Sequence, residues 1–143
     1  MSLGFPREAR ITRGVELQRI AREGKRIRTM FIEVRVAASP LARSESSWRG
    51  LRIGLIVPRF KHSAVARNQV KRRLRELART RMLPTGILSD VVLRIRPEAY
   101  TASFEMLCAD IDRAVVQLKR WREVLDSSSA EVTAVSHETS DTS

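Results

Sequence analysis

Residues 67–81, RNQVKRRLRELARTR, hold seven basic side chains against a single acid, Glu76. Wound on a helix at about 100° per residue, Val70, Leu74 and Leu77 share one face, and Asn68, Arg72, Arg75 and Arg79 share the opposite one. Arg67 and Lys71 flank one edge of the apolar stripe and Arg73 the other. Like charges stacked this way cost an isolated helix about 0.2–0.5 kcal/mol per pair. A segment that accepts such repulsion reads as a surface for anions. Arg presents a planar fork of donors matched to phosphate, and Asn68 adds a donor and an acceptor suited to a base edge or a 2′-hydroxyl. The competing reading is a solvated cationic face with no partner. Upstream, PRFKHSAVA at 58–66 adds Arg59 and Lys61 to the same end of the helix. Phe60 supplies a ring for stacking on a base or for the rim of the core.

No catalytic constellation or metal site is visible elsewhere in the sequence. Cys108 is the only cysteine, which rules out an internal disulfide, and its apolar helical setting predicts a buried structural thiol. His62 and His137 are too far apart for a zinc spacing. A nuclease acting through protein groups would need carboxylates for metal. Asp90 stands at a strand entrance and Asp110 and Asp112 on the last helix, where solvated or structural roles are expected.

The elements that must position the basic helix follow from periodicity. Residues 14–23 place Val15, Leu17, Ile20 and Ala21 at helical spacing, with Gly24 as a stop. Ile32, Val34 and Val36 alternate with Glu33 and Arg35, which predicts a strand over 30–36. Residues 38–50 read as an exposed loop carrying Trp48. LRIGLIV at 51–57 is a buried strand closed by Pro58, and VVLRI at 91–95 is a third, ended by Pro97. The basic helix spans 64–81 and is broken by Pro84 and Gly86. A last helix over 99–121 puts Phe104, Leu107, Ile111, Val115 and Leu118 on one core stripe. Helices and strands alternate, which predicts one sheet with helices packed on it.

Charge narrows the partner. The chain has 27 Lys and Arg against 16 Asp and Glu, a net +11. All four acids and no bases of the segment 126–143 fall in a Ser/Thr-rich tail, leaving 27 bases against 12 acids on 1–125, a net +15. A body so charged expects a polyanion, which binds by releasing condensed counterions. The division expected is a folded domain over 1–125 and a disordered acidic tail over 126–143. With no apolar run of roughly 20 residues and no signal-peptide pattern, a cytoplasmic protein without membrane contact is expected.

RIGLIV at 52–57 followed by AVARNQVKRRLRELAR at 64–79 resembles the signature of the bacterial ribonuclease P protein family. The positions that carry it are Arg52, Ile53 and Gly54 on the strand, then Arg67, Asn68, Lys71, Arg72, Arg75 and Glu76 on the helix. Weaker similarity covers most of 10–118. The resemblance implies a single-domain α+β sandwich of about four strands and three helices, with a left-handed β-α-β crossover, like the second domain of a small-subunit ribosomal protein. It also implies a protein subunit of ribonuclease P, whose catalytic RNA removes the 5′ leader of precursor tRNA. In that arrangement Mg2+ is held mainly by the RNA, and no obligate protein partner is needed. The expected RNA-binding residues are Arg52, Arg59, Lys61, Arg67, Asn68, Lys71, Arg72, Arg75 and Arg79, with the leader in a cleft between helix and sheet. Leu17 and Ala21 stand where the family often has aromatics, His62 where it has a glycine, and Gln69 where it has a base. Leader binding is therefore expected to rest on charge and shape more than on stacking. The alternative from a different class is a ribosomal or RNA-chaperone protein with no ribozyme partner.

Overall fold

The computed structural model describes residues 7–38 and 50–142, with side chains through residue 124. The expected tail, 126–143, lies beyond those side chains, and Trp48 lies outside the described residues. The elements run α1 (Gly14–Glu23), β1 (Lys25–Arg28), β2 (Ile32–Ala38), β3 (Arg52–Ile56), α2 (Ala64–Leu77), β4 (Ser89–Ile95) and α3 (Phe104–Thr142). The four strands form one mixed sheet in the order β1-β2-β4-β3. β1 and β2 are antiparallel, as are β2 and β4, while β3 lies parallel to β4 and is joined to it through α2. No helix among the described residues is long and apolar enough to cross a membrane.

Strand alternation divides the sheet into two faces. Ile32, Val34 and Val36 of β2, with Val91, Leu93 and Ile95 of β4, join Val70, Leu74 and Leu77 of α2 and Leu107, Ile111 and Leu118 of α3 in the main core. A smaller cluster on the other face unites Val92 of β4 with Ile11 and with Ile20 of α1, and Leu17 packs against it. Burying a Leu, Ile or Val side chain contributes about 1.5–3 kcal/mol. The main core therefore dominates the stability, and it seats α2 by its apolar stripe.

Several boundaries differ from those the sequence predicts. β1 was not expected as a strand. Its four residues, KRIR, contain one apolar side chain, Ile27, which pairs with Val34, so the signal for a period of two is too short to register. Phe104, expected on the core stripe, is the first residue of α3 and is exposed. Cys108, expected to be buried, is half-buried. The segment 97–101 is a 3-10 turn, so α3 starts later than the predicted 99. Residues 78–82 widen into a π turn that ends the basic helix before Pro84.

Asp110 explains how α3 grips the sheet. Its buried carboxylate accepts from the Phe31 N–H at 2.9 Å, the Met30 N–H at 3.2 Å and the Thr29 hydroxyl, holding the β1–β2 turn to the helix. Asp112 instead faces Arg81 at 3.7 Å on the surface. Asp90 is buried on β4 beside β3. The three carboxylates stand in three different settings. Among the described residues no three His, Cys, Asp or Glu side chains come together as a metal set.

Candidate nucleic-acid interface

The basic helix begins at Ser63, whose hydroxyl accepts from the Ala66 N–H at 3.0 Å and satisfies one of the first-turn donors. Val70, Leu74 and Leu77 are buried, which turns the opposite face outward. Asn68, Arg72 and Arg75 are exposed, while Arg67, Lys71 and Arg79 are half-buried at its edges. The face predicted from spacing is the face presented.

Internal pairing sorts the nine expected RNA contacts. Asn68, Lys71, Arg72, Arg75 and Lys61 have no hydrogen-bond or ion-pair partner among the described residues. Arg67 donates through Nε to the Val57 carbonyl at 2.8 Å, which ties the helix to the exit of β3 and leaves the outer nitrogens of its fork. Arg59 donates through Nε to the His62 carbonyl at 3.3 Å. Arg79 is paired with Glu76, one turn back on the same helix. That hydrogen bond is the main cause holding the Glu76 carboxyl below, and the Arg79 guanidinium above, their ordinary values.

Arg52 is the member that the fold sets apart. It lies on β3, and its guanidinium is bound in the protein, with Nε 3.0 Å from Asp90 Oδ1 and Nη2 2.6 Å from Oδ2. The hydrogen bond to Asp90 raises its pKa further. Its donors face inward, so the motif arginine of the strand is placed as a structural ion pair. The sequence offered no sign of this, because the partner is 38 residues away and was expected at a strand entrance.

Beside the helix, a cleft of about 310 Å³ opens between α2, the edge strand β3 and the segment before α1. Lys71, Arg75 and Arg10 stand at its rim, and Leu17, Ile53 and Leu55 form its apolar wall. Gly54 shapes this wall: a Cβ there would lie 2.2 Å from Leu17 Cδ2 and 3.3 Å from Ile11 Cβ. The close approach seats the Leu17 side chain on the strand. Arg10 and Ile11 were not predicted as part of the site. The signal that places them is a parallel bridge from Arg10 to Ile53 and the Ile11 N–H donating to the Ile53 carbonyl at 3.0 Å, neither of which a sequence displays.

An apolar slot edged with cations is what a single nucleic-acid strand requires: base surface on one side, phosphate on the other. Comparison with known proteins agrees with the motif. The family model described as Ribonuclease P matches residues 5–119. A ribonuclease P protein component of Streptomyces avermitilis is 37% identical over 119 residues, covering 80% of this chain and 94% of that protein. One from Acidothermus cellulolyticus is 31% identical over 114 residues, covering 80% and 91%. In fold, the chain resembles the Staphylococcus aureus RNase P protein, with a TM-score of 0.62 at 21% identity over 78% of this chain and 94% of that one. It resembles the RNase P protein from Thermotoga maritima with a TM-score of 0.60 at 20% identity, covering 74% and 94%. A motif on an exposed helix face, a family match across the folded body and a shared α+β fold lead to one assignment: this chain belongs to the ribonuclease P protein component family.

Proposed function

We propose that this chain is the protein subunit of ribonuclease P, that it binds the catalytic RNA through the outer face of α2, and that the cleft beside α2 takes the 5′ leader of precursor tRNA. The observation that carries the reading is the set of unpartnered donors on one exposed helix face, Asn68, Lys71, Arg72 and Arg75, two of which also edge the cleft. Hard cations take oxygen ligands, and this face offers guanidinium and ammonium, so its residues do not fit a magnesium site. The reading therefore assigns Mg2+ to RNA phosphates. The protein acts by neutralising phosphates where ribozyme and substrate crowd together, which raises substrate affinity and lowers the magnesium needed for assembly.

The cleft wall is aliphatic at Leu17 and Ile53, so grip on the leader comes from charge and fit rather than from rings. Each phosphate contact with a single strand adds about 0.7 to the slope of log affinity against log salt. The test is cleavage of precursor tRNA by the cognate RNA subunit at low magnesium, with and without added protein. The wild-type chain stimulates cleavage. A triple variant, Asn68→Ala with Arg72→Ala and Arg75→Ala, loses that stimulation with its melting curve preserved. Full stimulation by a folded triple variant overturns the proposal. RNA binding by the wild-type chain without any stimulation transfers the assignment to a ribosomal or RNA-chaperone role.

A further inference from the structure

The turn that carries β3 into α2 has a backbone its residues do not favour. The His62 N–H donates to the Arg59 carbonyl at 2.8 Å, and both residues between them, Phe60 (φ 46°) and Lys61 (φ 69°), occupy the left-handed region. Two consecutive positive φ values are the habit of Asn-Gly and Gly-Gly turns, because a Cβ in that region crowds the next carbonyl. A bulky aromatic there is a true outlier. Such strain persists where surrounding structure holds it in place, and it gathers at sites of function.

Tyr100 does the holding. Its hydroxyl donates to the Pro58 carbonyl at 2.6 Å, and the His62 ring stacks on it with centroids 4.0 Å apart and planes 6° from parallel. Phe60 meets the same tyrosine edge-on, centroids 6.3 Å apart at 88°. These contacts account for the position of His62. They do not account for phenylalanine at position 60, since the residue remains 37% exposed and glycine would carry the same backbone without strain. Arg59 and Lys61, both exposed, flank Phe60 in the chain, and Lys61 has no partner among the described residues. The tip thus combines a pre-positioned aromatic face with flanking cations, at the end of the basic helix nearest β3.

We propose that the Arg59–His62 turn is a base-stacking site: an unpaired nucleobase of the RNA partner lies on Phe60 while Arg59 and Lys61 hold the phosphates beside it. The proposal rests on the RNA-partner reading above and adds to it a contact outside both the face of α2 and the cleft. Charge selects a nucleic-acid strand over an apolar protein surface. Stacking asks only for a π-face, so the site tolerates any base and favours a purine. A ring already fixed by Tyr100 loses little freedom on binding, which is the advantage that offsets the strained backbone.

The experiment uses the full chain and a short oligouridylate with one central 2-aminopurine, whose fluorescence falls when it stacks. Wild-type protein and Phe60→Tyr quench the probe on binding. Phe60→Leu keeps the apolar bulk but loses the ring; it abolishes quenching and weakens binding about tenfold. Phe60→Gly does the same while melting at or above the wild-type temperature, because the turn is relaxed. Equal quenching and equal affinity for wild type and Phe60→Leu overturn the proposal. Lys71→Ala separates the two levels of inference. If it weakens binding while Phe60→Leu does not, only the stacking site fails; if neither does, the RNA-binding reading of α2 fails with it.

Discussion

Asp90 and Arg52 form a two-pronged ion pair across the parallel strands β3 and β4, facing each other in register with both carboxylate oxygens accepting. Asp90 is fully buried and the Arg52 side chain is one-fifth exposed. From α1, Arg19 approaches the same carboxylate at 4.0 Å, and Glu16 approaches Arg52 at 3.8 Å. The pair therefore joins the edge strand to the sheet and α1 to both. A conspicuous cation of the family motif works for the fold, while Lys71, Arg72 and Arg75 on α2 keep their donors free of internal partners among the described residues.

Removing Arg52 leaves a buried carboxylate without its fork. Arg52→Met is expected to destabilise the chain by about 3–5 kcal/mol, the usual cost of breaking a buried pair from one side. Adding Asp90→Asn to it recovers part of that loss, so the two changes are not additive. Denaturant titration checks this. Lys71→Ala has the opposite profile, with stability nearly unchanged and RNA affinity reduced. A loss below about 1 kcal/mol for Arg52→Met would show that the pair holds nothing together.

Gly24 ends α1 where two backbones nearly touch. A Cβ there would lie 2.6 Å from the Ile20 carbonyl oxygen and 3.0 Å from the Val36 nitrogen. Its φ of −71° is available to any residue, so the requirement is for space. The atoms in the way are main chain and cannot rotate aside. Gly24→Ala is expected to cost about 2–3 kcal/mol, lowering the melting temperature by roughly 10 °C. Gly14→Ala is the control: nothing lies within 4 Å of the added carbon. Its effect is neutral or slightly stabilising, since alanine is the better helix former. Equal melting of Gly24→Ala and wild type contradicts the packing described here.

Glu76 is the one acid on the basic helix, and it pairs with Arg79. Glu76→Gln releases that guanidinium to an RNA strand and removes a repelling charge. Affinity for RNA at low salt is expected to rise roughly threefold, and the salt slope to steepen by up to about 0.7. Because the carboxyl is held below its ordinary value in the folded chain, the pair is intact at neutral pH and is lost only as pH falls through that lowered value. Acidification therefore strengthens binding by the wild type in that range through this group, a component missing from Glu76→Gln. Binding of Glu76→Gln that is weaker than wild type at every salt concentration would refute the competition.

Much of the site was legible because a helix converts spacing directly into direction. The period of 3.6 residues places Val70, Leu74 and Leu77 inward, and once they are buried Asn68, Arg72 and Arg75 have nowhere to point but out. The bounds of α1 and the alternation of β2 were readable for the same local reason. What local pattern does not encode is which groups meet after the chain folds back. The pairing of Arg52 with Asp90, the grip of Asp110 on the turn before β2, and the bridge from Arg10 to Ile53 each join segments far apart in order. Charge and composition announced cations in plenty. Only tertiary contact decided which of them were neutralised from within, because an ion pair depends on distance in space.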